Sequence, residues 1–543
     1  MFTRTRHIFF TALLAGLLLT GSAADSPMAQ GPDRAQAPTG AKSRVFVHAD
    51  DAAHKRALIA IADKGLRHQF VAPGNELSFS AELTAGQIRA MERLGASIEA
   101  VPLATPMTRQ RRFGALRKIV TPAAKPYCGD GICQRKESSS TCSEDCGGVP
   151  PPEPEPDPTR TCEPQDQREY QTLLLSGDWV ADPDEENPVK LLVIDTGVNK
   201  EHPDLDVTWC KNTTTSRIKN NCKDDIGHGT HTAGSAAADG GTDGLGLFGA
   251  APGAILGVAK ICGKKLCFMD DLIRAIEFGS DNFRPDVISL SFGGPDSPTF
   301  HNAVKAAVDA GALFVASAGN DGPADDSISY PAAYPEVVAV GMLDAARIVN
   351  RMSSRGSEAE LTGGGFVIES TSMDGCYQIK SGTSMSTPSV AGFAAANWKG
   401  SNTLTRDYLR DTAAEDVDNS QVLPGYDGTE EDFDTSSGYG LPRNGGLNGS
   451  IGATVAAGQD SVLPGETVNI NVTGPPNANY RIGVTSPSGD WTYEGFTTEA
   501  NGTDALTLNL TTWTDLGTWL LTVDFGGAAN FGPAFDTFEQ QTD

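Results

Sequence analysis

The segment Lys190-Leu191-Leu192-Val193-Ile194 is apolar at successive positions rather than alternate ones, and it stops at Asp195 and a Thr-Gly turn. A strand of that kind has no face for water, so helices must cover both sides, as in a parallel sheet. A second run, Ala312-Leu313-Phe314-Val315-Ala316, ends in the same way at Ala318-Gly319-Asn320. Such strands predict an α/β core, and they put Asp195 at a carboxyl end, where open α/β sheets present their ligands.

Two further glycine-rich segments carry reactive side chains: "GHGTHTAGSAAA" with His228 and "SGTSMSTPSVAG" with Ser384. A serine hydroxyl is a weak nucleophile near neutral pH and needs a base within hydrogen-bond reach. His228 is the candidate base and Asp195 the carboxylate that would hold its imidazole in one tautomer. A helix is predicted from Val390 to Trp398 with Pro388 in its first turn, which sets Ser384 near a helix N-terminus, where free N–H groups favour a developing oxyanion. Each signal has a plainer reading: a strand-end turn for Asp-Thr-Gly, a metal pair for His228 and His231, and a cap for Ser384. Their joint occurrence in the order acid, histidine, serine favours the catalytic one.

Over about 187–445 the chain resembles the subtilases, subtilisin-like serine proteases, in "LLVIDTGVNKEHPDL" and the two segments above. The resemblance implies a mostly parallel, helix-flanked sheet and gives Asn320 the second oxyanion donor beside the Ser384 N–H. It implies that Ser291, Phe292 and Gly293 of "VISLSFGGP" pair with extended peptide, and that Ser317 and Ser329 line a roomy primary pocket of broad or apolar preference. Asp204, and Asp239 and Asp243 of the loop 239–246, match a structural calcium site. The chain departs from the family pattern at Ser389, usually histidine, and at Gly363-Gly364-Gly365, often Ala-Pro-Gly.

The catalytic unit spans 161–448. Residues 1–24 fit a secretory signal, with Arg4 and Arg6 before an apolar run from Ile8 to Leu19 that is too short to cross a membrane. No membrane anchor is expected, and the protein is read as secreted and extracellular. Residues 43–107 read as a small α/β unit: strands Arg44–His48, Leu77–Leu83 and Ser97–Val101, helices Ala52–Lys64 and Thr84–Leu94, the second opened by a Thr84/Gln87 capping box. It resembles the inhibitory propeptide of secreted subtilases, which makes the chain's own leading domain an intramolecular inhibitor.

A basic stretch, 108–126, carries six Lys/Arg and no acid and reads as a cleavage linker rather than a nucleic-acid site. The net charge of −27 becomes −35 once residues 1–126, with 17 Lys/Arg and 9 Asp/Glu, are removed. So acidic a remainder repels anionic polymers and suits calcium.

Ten cysteines in an exported chain point to disulfides. Cys128, Cys133, Cys142 and Cys146 form a short module, 127–148, read as two bridges with calcium or zinc as alternatives. Proximity pairs Cys210 with Cys222 and Cys262 with Cys267, and elimination leaves Cys162 with Cys376. The Pro-rich 149–160 is a stiff spacer. In 449–543, Val468/Ile470/Val472, Leu506/Leu508/Leu510 and Trp519/Leu521/Val523/Phe525 alternate with polar residues and predict an accessory β-sandwich. The chain as a whole reads as a serine endopeptidase made as a self-processed precursor and acting on polypeptides. An ester hydrolase and a binding scaffold are the rivals.

Overall fold

The computed structural model describes residues 41–107, 116–118, 162–164, 171, 172, 175, 189–414 (apart from 265, 323, 325, 345 and 346), 437–442, and strands between 454 and 540. The expected signal segment, most of the basic linker, the module with Cys128, Cys133, Cys142 and Cys146, and the Pro-rich spacer lie outside the described residues.

In the leading unit, β1 (Lys42–His48), β2 (Leu66–Gln69), β3 (Ser78–Thr84) and β4 (Ser97–Ala100) form an antiparallel sheet in the order β2-β3-β1-β4. Helices α1 (Ala52–Ala62) and α2 (Ala85–Arg93) pack on it around Leu58, Phe79, Leu83 and Met91. Asp51 caps α1 through the N–H groups of Ala53 and His54, and α2 opens on the Thr84/Gln87 capping box. Beyond β4 comes β5 (Leu103–Pro106), which leaves this sheet.

The large sheet is fully parallel. Its strands are β6 (Lys190–Asp195), β7 (Val207–Asn212), β8 (Ile255–Lys260), β10 (Val287–Leu290), β12 (Leu313–Ser317), β13 (Val337–Leu343) and β14 (Leu361–Gly364). They lie in the order β14-β13-β12-β10-β6-β8-β7. Two short strands, β9 (Cys267–Phe268) and β11 (Phe292–Gly293), stand apart with β5 between them.

Leu191 and Val193 of β6 pack in one core with α3 (His228–Ala237), α6 (Thr383–Ala396) and α7 (Asn402–Asp411), whereas Leu192 and Ile194 pack in the other with α4 (Met269–Asn282) and α5 (Pro298–Asp309). This two-sided burial is the reason the run is apolar throughout. The chain turns to opposite sides of the sheet after β6 and β10, so the crevice at the carboxyl ends of these two strands is the switch point.

The helix that carries Ser384 begins earlier than the sequence suggests. It starts at Thr383, so Pro388 falls in its second turn instead of its first. Proline removes the bond its N–H would have made to the carbonyl four residues back, that of Ser384. The Ser291 hydroxyl donates to that carbonyl at 2.9 Å and makes the position tolerable. Gly363 and Gly365 let the sheet approach this helix: a Cβ at Gly363 would lie 2.9 Å from Val390 Cγ2, and one at Gly365 would lie 3.2 Å from Ser386 Cβ.

Disulfides join Cys162 to Cys376, Cys210 to Cys222 and Cys262 to Cys267. The C-terminal strands form two sheets, with Val468, Ile470, Val472, Ile482, Val484 and Leu521 buried. Leu116–Lys118 of the basic linker adds an antiparallel edge strand to one of them, against Leu506–Leu508. Among the described residues no helix is long and apolar enough to cross a membrane.

Glu360, 5% exposed, fastens α7 to the sheet by accepting from Arg406 and Arg410 at 2.8 and 3.0 Å. Removing the carboxylate leaves two guanidinium groups without their counter-charge. Glu360→Ala is expected to lower unfolding free energy by about 2–3 kcal/mol, read as a lower denaturant midpoint with the slope unchanged.

Candidate active site

Asp195, the last residue of β6, is fully buried. One of its oxygens accepts the Thr196 N–H at 2.6 Å and His228 Nδ1–H at 2.7 Å, and the other accepts the Thr232 hydroxyl at 3.1 Å. A carboxylate on Nδ1 fixes the proton there and leaves Nε2 as the basic nitrogen. His228 Nε2 has no hydrogen-bond partner. Phe292 packs edge-on against the ring, with centroids 5.5 Å apart.

His228 is the first residue of α3, and its glycine neighbour is sterically required. A Cβ at Gly229 would lie 2.1 Å from the Gly197 carbonyl oxygen and 3.0 Å from Asp195 Cβ. The start of α3 is held by Asp224, which the sequence reading passed over. Its Oδ1 accepts from Ile226 N–H, Gly227 N–H and the Thr196 hydroxyl, and its Oδ2 from the N–H and hydroxyl of Thr230. The available signal was an acid four residues before the histidine, placed to meet a helix N-terminus.

Ser384, in the first turn of α6, donates its hydroxyl to the Ser291 carbonyl at 3.1 Å, while its N–H donates to the Met107 carbonyl, also at 3.1 Å. The His228–Ser384 hydrogen bond is thus not made in this structure, a common state before the reacting atoms align. Asn320 Oδ1 accepts the Thr383 N–H at 3.0 Å, which turns Nδ2 the other way; Nδ2 is buried and unpaired. Asn320 and Met107 line one pocket of 430 Å³ together with Gly293, Ser329 and Asp321.

Phe292–Gly293 pairs with a strand of this same chain. β5 runs antiparallel between β11 and β9, with Pro106 opposite Phe292, Thr105 opposite Gly293, Ala104 opposite Cys267 and Leu103 opposite Phe268. Met107 N–H donates to the Ser291 carbonyl at 3.3 Å. Gly293 must lack a side chain, because a Cβ would sit 2.2 Å from Met107 Cε and 2.3 Å from Ser329 Oγ. Ser317 is fully buried on β12 and does not line this pocket, whose wall includes the exposed carboxylate of Asp321 instead.

His231 Nε2 lies 2.9 Å from the Gln378 carbonyl and 3.1 Å from that of Ile368, and burial holds its pKa well below the usual histidine range; among the described residues it joins no cluster of potential metal ligands. Ser389, at the family's histidine position, bonds Gln171 at 2.8 Å. Asp204 Oδ2 accepts from Leu247 N–H and Tyr377 O–H, Asp239 from Gly241 N–H, and Asp243 from Leu245 N–H. Among the described residues these carboxylates do not assemble a cage; only His68, Asp270 and Asp271 bring three potential ligand atoms together. Burial, with the nearby charges of Asp204 and Asp206, raises the Asp239 pKa.

The Subtilase family profile matches residues 186–440. A subtilisin of Bacillus pumilus is 37% identical over 235 residues, covering 41% of this chain and 83% of that protein. The chain belongs to the subtilase family. A subtilisin of Bacillus sp. (strain TA39) is 39% identical over 285 residues, 47% of this subtilase and 66% of its relative's length. Among solved structures, the S41 psychrophilic protease is 32% identical, covering 52% of this subtilase and 99% of that chain, with a TM-score of 0.46.

Burial opposes ionisation of Asp224, but the N–H groups of Gly227, Ile226 and Thr230 outweigh it and hold the pKa below the ordinary carboxylate value. A pKa depressed by folding contributes stability above the unfolded value and loses it as pH falls through the folded one. Asp224→Asn is therefore expected to be less stable than the parent subtilase near neutral pH by about 1–3 kcal/mol, with the gap closing in acid; denaturant titrations across pH 2–7 measure it.

Proposed function

We propose that this subtilase is a secreted serine endopeptidase that cleaves its own leading domain from the catalytic domain and thereafter acts on other polypeptides. The observation that carries the reading is the position of Met107: its carbonyl oxygen faces the Ser384 N–H while residues 103–106 lie as a strand in the cleft. This is how a substrate's acyl half would lie, and it marks Met107–Thr108 as the bond to be cut. The apolar start between Arg6 and Leu19 supports export.

In this mechanism the Ser384 hydroxyl turns from the Ser291 carbonyl to His228 Nε2, which takes its proton as Oγ attacks the carbonyl carbon. Asp195 stabilises the imidazolium that forms. Charge on the carbonyl oxygen is met by the Ser384 N–H and Asn320 Nδ2, two donors held in place before reaction. His228 then protonates the departing amine, leaving an acyl-enzyme. Water attacks the ester, giving its proton to His228, and Ser384 is restored as the acid leaves.

A segment bonded to strands on both edges leaves slowly, so the domain that is cut off also inhibits. The primary pocket, walled by Gly293 and Ser329 with Asp321 at one side, favours apolar or extended uncharged side chains such as methionine. We further propose calcium as a structural ion at the loop 239–246, near Asp204, Asp239 and Asp243, with loop carbonyls completing the donors. Its role there is to neutralise charge, with no part in the reaction.

Intact-mass analysis of the subtilase beside Ser384→Ala, with casein hydrolysis followed in both, tests the main reading. Expected are a mature parent chain whose new N-terminus is first generated at Thr108, casein digestion by the parent, and a variant that stays uncut and inert. Equal inertness in two folded proteins would favour a scaffold. For calcium, thermal unfolding with chelator and with added calcium is expected to differ by several degrees in the parent, and by less in Asp239→Asn.

A further inference from the structure

Outside the triad and its cleft, buried charge concentrates where the leading domain covers the start of α4. Asp270 and Asp271, in the first turn, have side chains 0% and 2% exposed. Arg44 grips Asp270 on two edges, Nε to Oδ2 at 3.1 Å and Nη2 to Oδ1 at 2.7 Å, and the same Nη2 lies 2.7 Å from Asp271 Oδ1. Its guanidinium also stacks over Phe268, 4.1 Å from the ring centre. Arg67 Nη2 and His68 Nε2 reach Asp271 Oδ1 at 3.3 and 2.7 Å, and Ser80 donates to Asp270 at 2.6 Å.

All four partners belong to the leading domain. Among the described residues, no side chain of the catalytic domain bonds either carboxylate; Arg274 is committed to the carbonyls of Thr213, Thr215 and Ser216. Departure of the leading domain therefore removes every side chain that hydrogen-bonds the pair and leaves them only the nearby charge of Arg274.

We propose that in the mature subtilase Asp270, Asp271 and the Phe268 ring form an arginine-binding subsite, reading polypeptide substrates five to seven residues upstream of the scissile bond. The inference rests on the endopeptidase reading above. Register gives the position: with Met107 first, Leu103 is fifth and pairs with Phe268, Pro102 is sixth and accepts the Met269 N–H at 3.0 Å, and Val101 is seventh and donates to the Arg44 carbonyl. A substrate continuing along this path passes the first turn of α4.

Chemistry gives the ligand. Adjacent carboxylates repel each other, and the helix N-terminus offsets only part of that cost. A guanidinium supplies the planar fork that two carboxylates accept and a face that stacks on an aromatic ring, neither of which a lysine ammonium offers. The leading domain supplies such a group in Arg44, so the same contacts that seat the inhibitor would select its successor.

The test uses the mature full chain and fluorogenic peptides sharing one cleavage sequence. One spans only the first four upstream positions; three longer ones carry Arg, Lys or Gln at the sixth. Expected is kcat/KM about tenfold higher for Arg than for Gln, chiefly through KM, with Lys between them and the preference shrinking at high salt. In Asp270→Asn/Asp271→Asn the Arg-to-Gln ratio is expected to fall to near one. If that variant does not mature, the parent series decides alone. Cleavage of the short peptide with equal rates on the Arg and Gln peptides overturns the subsite while leaving the endopeptidase intact. Failure to cleave any of the four peptides overturns the endopeptidase reading and the subsite with it.

Discussion

A carboxylate withdrawn from water at the end of a strand buried on both faces has to be supplied with donors by the protein itself. Asp195 obtains them from Thr196, Thr232 and His228, and each of those needs support of its own. Thr196 is fixed by Asp224, which also holds the start of α3, and α3 carries His228 and Thr232. The orientation of the imidazole therefore follows from satisfying one buried charge. Gly229 and Gly197 are there because the backbone must come this close, and Gly227 because its φ is positive.

The second organising constraint is an open strand edge. Phe292–Gly293 and Cys267–Phe268 both offer backbone groups to a chain laid between them, and the leading domain fills the gap with Leu103–Pro106. Its globular part adds polar anchors at α4: the Arg44 cluster, and Glu277, which accepts the N–H groups of Val71 and Ala72. The leading domain is thus held by main-chain pairing in the cleft and by charge beside it, two terms that salt and sequence affect differently.

What could be read from the sequence was whatever local pattern encodes. The unbroken apolar run of β6, the capping box of α2 and the alternation of Val468, Ile470 and Val472 each state their environment in a few residues. Asp195, His228 and Ser384 stood out because glycine-rich turns surround them. β5 was invisible because Leu103-Ala104-Thr105-Pro106 has no strand pattern of its own and is a strand only through two distant partners. Asp224 was missed for a similar reason, since its five bonds depend on a loop folding back over Thr196. The start of α6 was misplaced because tolerance of Pro388 depends on Ser291, more than ninety residues away. The calcium residues followed family resemblance, and the side chains of Asp204, Asp239 and Asp243 turned out to be engaged in local hydrogen bonds.

Because Pro388 leaves the Ser384 carbonyl to the Ser291 hydroxyl, and the Ser384 hydroxyl rests on the Ser291 carbonyl, these two residues are clasped to each other. Ser291 directly precedes the strand that receives the peptide, and its carbonyl takes the Met107 N–H as well. Two donors, the Ser384 hydroxyl and the Met107 N–H, share a single carbonyl oxygen. A chain laid along Phe292–Gly293 and the Ser384 hydroxyl are thus referred to one atom, so the seat of that strand and the resting place of Ser384 are fixed together.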